Sequence, residues 1–243
     1  MILLIFAAAA VLNADAPPVG YLAGQPPLDW AKLLPGPPKP GTAADAADRA
    51  TYAASAAGVG GRGWLAATSQ LHPGRTAAMA PQIACIVAAP VDAGSAPALF
   101  RLLARLGADA YAPVKASKDF YHRDRPFVGD AATVTCDPRA NSGELSFAYP
   151  SGHAAIGTLW GAALGDVAPD RRGVAKAWGT AVGDNRIACR VHWASDVAAG
   201  RTLGAALYKR IEPTPAYRAD VAAARAEITA LRTRDAVPLS SCG

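Results

Sequence analysis

Asn185-Arg186-Ile187-Ala188-Cys189-Arg190-Val191-His192-Trp193-Ala194-Ser195-Asp196 is the stretch on which the reading of this chain turns. His192 and Asp196 are four apart, so they meet on a helix face or at a helix entry. An Asp that accepts from one imidazole N–H fixes the tautomer and leaves the other nitrogen free to attack. Arg186 lies six residues before His192, which is off-face in one continuous helix. If the two converge, the helix must break between them. Arg190 either adds positive potential beside His192 or faces solvent.

Two upstream pieces supply matching chemistry. Pro150-Ser151-Gly152-His153 reads as a turn feeding a helix, with Ser151 as its cap. The Ser151 and Gly152 amides then point at an anion placed at the helix N-terminus, with His153 close by in the first turn. Lys118-Asp119-Phe120-Tyr121-His122-Arg123-Asp124-Arg125-Pro126 is the other piece. Lys118 and Arg125 are seven apart, two turns of one helix face, or about 10 Å of rise. Pro126 keeps Arg125 out of ordinary helical geometry, so the Arg sits at a helix end and can turn inward. Two cations on one face repel, which a stability-only design avoids. The chain has 4 His, and His122 is the spare one in these pieces. Each piece alone fits a bland surface role. Together they hold what is needed to bind a phosphate dianion and attack it with an imidazole.

Composition sets the frame. A chain of 243 residues is long enough for one good core and one domain. Abundant Ala and little period-2 alternation favour helices. The net charge of +5 attracts anionic substrates. The basic residues are scattered, which argues against a nucleic-acid partner. Residues 1–16 read as a signal peptide: an apolar run ending in Ala14-Asp15-Ala16, too short to span a bilayer. Cleavage after Ala10 or Ala14 is the alternative, because no Lys or Arg precedes the run and Pro17 follows it. The protein is therefore expected to be periplasmic or secreted, with no membrane span in its mature form. The 4 Cys (Cys85, Cys136, Cys189, Cys242) then suit disulfides, and no C-x-x-C suggests zinc. Location favours Cys136 with Cys189, leaving Cys85 with Cys242.

Along the chain, residues 17–43 form a Pro- and Gly-rich arm, expected to lie extended on the surface. Residues 44–235 form the folded domain, and 236–243 a C-terminal tail. Thr42 caps a first helix that ends before Gly58-Val59-Gly60-Gly61-Arg62-Gly63, a loop with the wrong spacing for a phosphate-cradling motif. Further helices are expected near 75–88, 96–106, 108–122, 153–165, 169–186, 195–211 and 215–234. Ser95 before Ala96-Pro97 reads as an N-cap. Tyr217, Val221, Ala224, Ile228 and Leu231 form a core-facing stripe.

The three pieces in this order resemble the superfamily of type 2 phosphatidic acid phosphatases and vanadium haloperoxidases. Its signature is Lys-x6-Arg-Pro, Pro-Ser-Gly-His and Ser-Arg-x5-His-x3-Asp. Arg125-Pro126-Phe127-Val128, Tyr149 to His153 and His192 to Val197 look like its class A bacterial non-specific acid phosphatases. The resemblance covers roughly residues 30–232. It implies an all-α, single-domain helical bundle that hydrolyses small-molecule phosphomonoesters with broad specificity, without metal or cofactor. It implies His192 as nucleophile forming a phosphohistidine, Asp196 as its orienting partner, and His153 as acid. Lys118, Arg125, Arg186, Ser151 and Gly152 bind phosphate. Asn185 stands where the signature has Ser, and its amide can still serve as an accessory donor to an oxyanion. The alternatives are a vanadate-dependent haloperoxidase, whose family members are much longer, and a non-catalytic periplasmic phosphate-binding protein. The latter leaves His153 and the His192–Asp196 pair without a purpose. Homo-oligomerisation is left open.

Overall fold

The computed structural model describes residues 18–70, 76–130, 132–140, 142–235 and 237. Among these, all regular structure is helical. Four short or peripheral helices come first: α1 (Trp30–Leu33), α2 (Ala43–Ser55), α3 (Arg62–Ser69) and α4 (Ala80–Val87). The bundle proper is α5 (Pro97–Tyr121), α6 (Gly152–Val167), α7 (Arg172–Ala188), α8 (Ala194–Ile211) and α9 (Pro215–Arg234). The expected helix spans match these closely. Thr42 caps α2 by accepting from the Asp45 amide at 3.3 Å.

Four local expectations need correction. The two helices expected at 96–106 and 108–122 are one, α5, which runs through both Gly107 and Pro113. Buried Leu99, Leu102, Leu103, Leu106 and Ala110 line its inner face, and burial of that face outweighs the local cost of a helical Gly and Pro. Ser95 does not cap α5. The Glu227 carboxylate of α9 does, accepting from the Ala98 and Leu99 amides at 2.8 and 3.1 Å. Helix α3 lies where only a loop and its aftermath were expected. The N-terminal arm is also more than a surface strand. Tyr21 and Leu34 are buried in the main core, and the Tyr21 hydroxyl donates to Asp220 Oδ2 at 2.7 Å.

Helix α6 is the hub. It packs against α7 on one side and α8 on the other, with spacing set by glycine. A Cβ on Gly157 of α6 would lie 2.7 Å from the Gly179 carbonyl oxygen of α7. A Cβ on Gly200 of α8 would overlap the Ser151 carbonyl oxygen. The N-terminus of α6, the C-terminus of α7 and the N-terminus of α8 therefore converge. Leu159, Trp160 and Leu164 carry the core away from that junction. The expected Cys136–Cys189 disulfide is formed and joins the segment after α5 to the end of α7. It spans a sequence separation of 53, for which the chain-entropy account gives about 4 kcal/mol. Cys85 is also disulfide-bonded. Its expected partner Cys242 and the expected signal peptide lie outside the described residues.

Gly200→Ala tests the hub. Forcing a methyl group into the Ser151 backbone should cost about 1–3 kcal/mol. Denaturant unfolding measures this, and an unchanged midpoint would show that the α6–α8 spacing is not tight.

Candidate active site

Cys189-Arg190-Val191 breaks the chain between α7 and α8, and this brings Arg186 back toward His192. Arg186 ends α7 with a fully buried side chain. Arg190 takes a left-handed backbone, φ 63°, at the break. Its half-buried guanidinium lies over the Tyr52 ring, 4.7 Å from the centroid. Asp196 sits in the first turn of α8 and accepts from the Trp193 amide at 2.9 Å. The same oxygen faces His192 Nδ1 at 3.2 Å. A carboxylate only accepts, so Nδ1 carries the proton and Nε2 the lone pair. His192 Nε2 then accepts from Arg125 Nη1 at 3.3 Å.

Lys118 and Arg125 do not share a helix face, contrary to the spacing argument. His122 closes α5 in a left-handed conformation, φ 46°, and its ring packs on Phe147. Arg125 reaches the site from the turn beyond. Its Nε donates to the Ser146 carbonyl and its Nη1 to the Val191 carbonyl, both at 2.7 Å. Lys118 donates to the Phe147 carbonyl. Arg186 Nη2 donates to the Ala67 carbonyl of α3 at 2.7 Å, whereas its buried Nε and Nη1 have no hydrogen-bond partner among the described residues.

Ser151 caps α6, its hydroxyl accepting from the Ala154 amide at 3.4 Å. Its own amide is already committed, donating to the Asp196 carbonyl at 2.9 Å. Of the two amides expected to meet an anion, Gly152 alone keeps that role. It opens α6, where first-turn amides lack intrahelical acceptors. His153 Nε2 lies 2.9 Å from the Gln70 carbonyl. A carbonyl cannot donate, so Nε2 carries the hydrogen and Nδ1 is the nitrogen that gains and loses a proton. Asn185 points elsewhere: its amide donates to Gln70 Oε1 at 3.0 Å. It steadies the segment that holds His153. Lys118, Arg125, Gly152, His153 and His192 line one cavity of about 400 Å³.

Residues 98–215 match the family model described as the PAP2 superfamily. That segment is a PAP2 superfamily domain. It is 34% identical over 145 residues to a non-specific acid phosphatase of Salmonella typhimurium, covering 59% of this chain and 58% of that one. It is 30% identical over 178 residues to an acid phosphatase of Zymomonas mobilis, covering 72% of this chain and 66% of that one. The chain thus spans well under two thirds of the Salmonella relative's length. Among solved structures, a transmembrane PAP2 type phosphatidylglycerolphosphate phosphatase from Bacillus subtilis superposes with TM-score 0.49 at 22% identity. That match covers 71% of this chain and 86% of the other. No described helix here is long and apolar enough to cross a membrane.

In this PAP2 domain the electrostatics are set by burial. Burial, then the Arg125 charge, pushes Lys118 down to about 7. Burial likewise lowers Arg125 and Arg186 to about 10 each. The imidazoles of His192 and His153 fall well below their usual range, from burial first and neighbouring cations second. Both are therefore neutral at pH 7, and His192 Nε2 keeps its lone pair. Burial raises Asp196, and Arg123 opposes that most strongly.

Arg123 is the main residue that the sequence reading passed over. Its Nη1 donates to Asp196 Oδ1 at 2.5 Å and to Ser195 Oγ at 2.7 Å. Its Nη2 donates to Asp48 Oδ2 of α2 at 2.7 Å. Asp48 also accepts from the Ser195 amide at 2.9 Å. This network clamps the turn that presents His192 and Asp196. Arg123 lies inside the quoted charge cluster, but nothing in its spacing separates it from a solvated Arg. Gln70, which acts through its backbone carbonyl, leaves no side-chain signal at all.

The sign of the Lys118 shift predicts proton-linked anion binding. Between pH 7 and its ordinary value, Lys118 in the empty site is deprotonated, whereas a bound dianion favours the charged form. Sulfate does not titrate in this range. Its binding should take up protons at pH 8, and its affinity should fall as pH rises. Calorimetry in buffers of different ionisation enthalpy measures the uptake, and a buffer-independent enthalpy would refute the buried-lysine argument.

Proposed function

We propose that this protein is a periplasmic or secreted acid phosphatase that hydrolyses phosphate monoesters with broad specificity through a phosphohistidine. The observation that carries this reading is Arg186. A fully buried guanidinium with two unpartnered donors is costly unless an anion completes it. It shares its surroundings with Lys118, Arg125 and a histidine nucleophile. The curated relatives' names support the phosphatase assignment. The Cys136–Cys189 disulfide supports an oxidising compartment.

The chemistry follows from the proton positions. Substrate phosphate enters among Lys118, Arg125, Arg186, the Gly152 amide and the Ser151 hydroxyl. Arg125 exchanges its contact with His192 Nε2 for one with a phosphate oxygen, which frees the lone pair. His192 Nε2 attacks phosphorus as the bond to the leaving oxygen breaks. Asp196, held by Arg123, compensates the charge that builds on the imidazole. The incoming dianion raises the His153 pKa, so His153 is protonated on Nδ1 and gives that proton to the leaving alkoxide. Neutral His153 then takes a proton from water, which attacks the phosphohistidine and releases phosphate. Because burial holds His153 low, the protonated form requires acid, and the rate falls as pH rises through its pKa in the complex. The three cations supply the charge stabilisation that a metal would otherwise provide. The described residues contain no group of three or more His, Cys, Asp or Glu placed to hold a metal ion.

Two measurements test this. Activity on p-nitrophenyl phosphate should survive EDTA and be inhibited by vanadate. EDTA inactivation reversed by a divalent ion would overturn the mechanism, and vanadate-dependent bromide oxidation would favour the haloperoxidase. His192→Ala should abolish turnover of every ester. His153→Ala should lose about 10²–10⁴-fold on alkyl phosphates and far less on p-nitrophenyl phosphate in single-turnover phosphoryl transfer. Equal losses on both would refute the acid role.

A further inference from the structure

The cavity that holds the charged residues extends beyond them, and its far part has a different character. On α5, Gly107, Tyr111 and Val114 precede Lys118 at spacings of four, three and four. They form one helix face leading to the lysine. Gly107 and Lys118 are eleven residues apart, or about 16 Å along the axis. On α6, His153, Ile156 and Trp160 repeat the pattern at three and four. All six of these non-lysine residues line the same cavity. Two helix faces thus run side by side, each charged or titratable at one end and apolar along the rest.

The apolar part offers few hydrogen-bonding groups. The Trp160 indole N–H is already used, donating to the Leu103 carbonyl at 2.9 Å. Tyr111 lies at the mouth, 68% exposed. The polar lining residues Ser146 and Arg139 gather around Arg125 at the charged end. Among the described residues, none that lines the cavity is a carboxylate. Gly107 keeps the trough open. A Cβ placed there meets nothing within 4 Å, so packing does not require a glycine in the middle of this long helix. Alanine would make the helix more stable.

We infer that this trough is a leaving-group subsite that selects monoesters of apolar alcohols and phenols over those of polyols. The inference rests on the phosphatase reading for its direction. His153 protonates the leaving oxygen, so the organic group must lie on the His153 side, along Ile156, Trp160 and the α5 face. An alkyl or aryl group there removes apolar surface from water. A sugar's hydroxyls would lose water without gaining partners.

The test separates the subsite from the chemistry. Calorimetric titration of the full chain with n-alkylphosphonates from methyl to octyl needs no turnover. Affinity should rise about fourfold per methylene while the chain stays within the trough. Kinetic assays of the matching n-alkyl phosphates, whose leaving groups differ little in basicity, should show the same trend in kcat/KM. Hexyl phosphate should exceed sorbitol 6-phosphate at least tenfold. Gly107→Leu should lower the octyl-to-methyl affinity ratio at least tenfold. A Kd constant within twofold across the phosphonates, or sorbitol 6-phosphate cleaved as well as hexyl phosphate, would overturn the subsite. So would an unchanged ratio in folded Gly107→Leu. Rising phosphonate affinity without hydrolysis of any ester would keep the subsite and defeat the phosphatase reading instead.

Discussion

Burial of three cations, Lys118, Arg125 and Arg186, is the constraint to which the rest of the structure answers. Three cations share a space largely closed to water, where like charges interact strongly. Burial is the largest cause that drags their pKa values down, and neighbouring cations add to it. Each is held by backbone carbonyls: Phe147 for Lys118, Ser146 and Val191 for Arg125, Ala67 for Arg186. Carbonyl dipoles offset part of the charge without neutralising it, as a carboxylate partner would. The site stays electrostatically unsatisfied, and an anion is the natural complement. The arrangement costs stability at one place and must be supported from elsewhere.

That support comes from rigid elements. The α6–α7–α8 junction is set by backbone-to-backbone contact at glycines, so it cannot slide by the width of a methyl group. The Cys136–Cys189 bridge fixes the α7 end three residues before His192. Arg123 ties α2 to the start of α8 through Asp48, Ser195 and Asp196, all with side chains largely removed from solvent. Loss of one partner from such a buried pair leaves an uncompensated charge. Asp196 therefore depends on Arg123 as His192 depends on Asp196.

The fold was legible wherever local signals were strong. Thr42 and Ser151 behave as caps, and the Tyr217 to Leu231 stripe is buried as its spacing requires. The break between Arg186 and His192 could be inferred because convergence demanded it. Other features depend on distant partners and leave no local trace. Glu227 caps α5 from 129 residues away in sequence, and Gln70 holds His153 through a carbonyl that every residue type possesses. The Lys118–Arg125 spacing suggested a shared helix face. A left-handed His122 instead ends the helix early. A reading by spacing alone assumes that the helix continues, and few side chains announce that it does not.

Charge cage and apolar trough are two consequences of one packing decision. The lysine whose charge burial depresses shares its cavity with the apolar walls formed by Val114, Ile156 and Trp160. An exposed cage would keep its cations fully charged and weaken every contact through solvent screening. A buried cage surrenders some charge in the empty state and recovers it when the dianion arrives. The same burial keeps His192 neutral before binding. It also makes His153 protonation depend on the substrate's own charge. On the proposed phosphatase reading, acid catalysis is then switched on by the molecule to be cleaved, and the organic half of that molecule lies along the proposed trough.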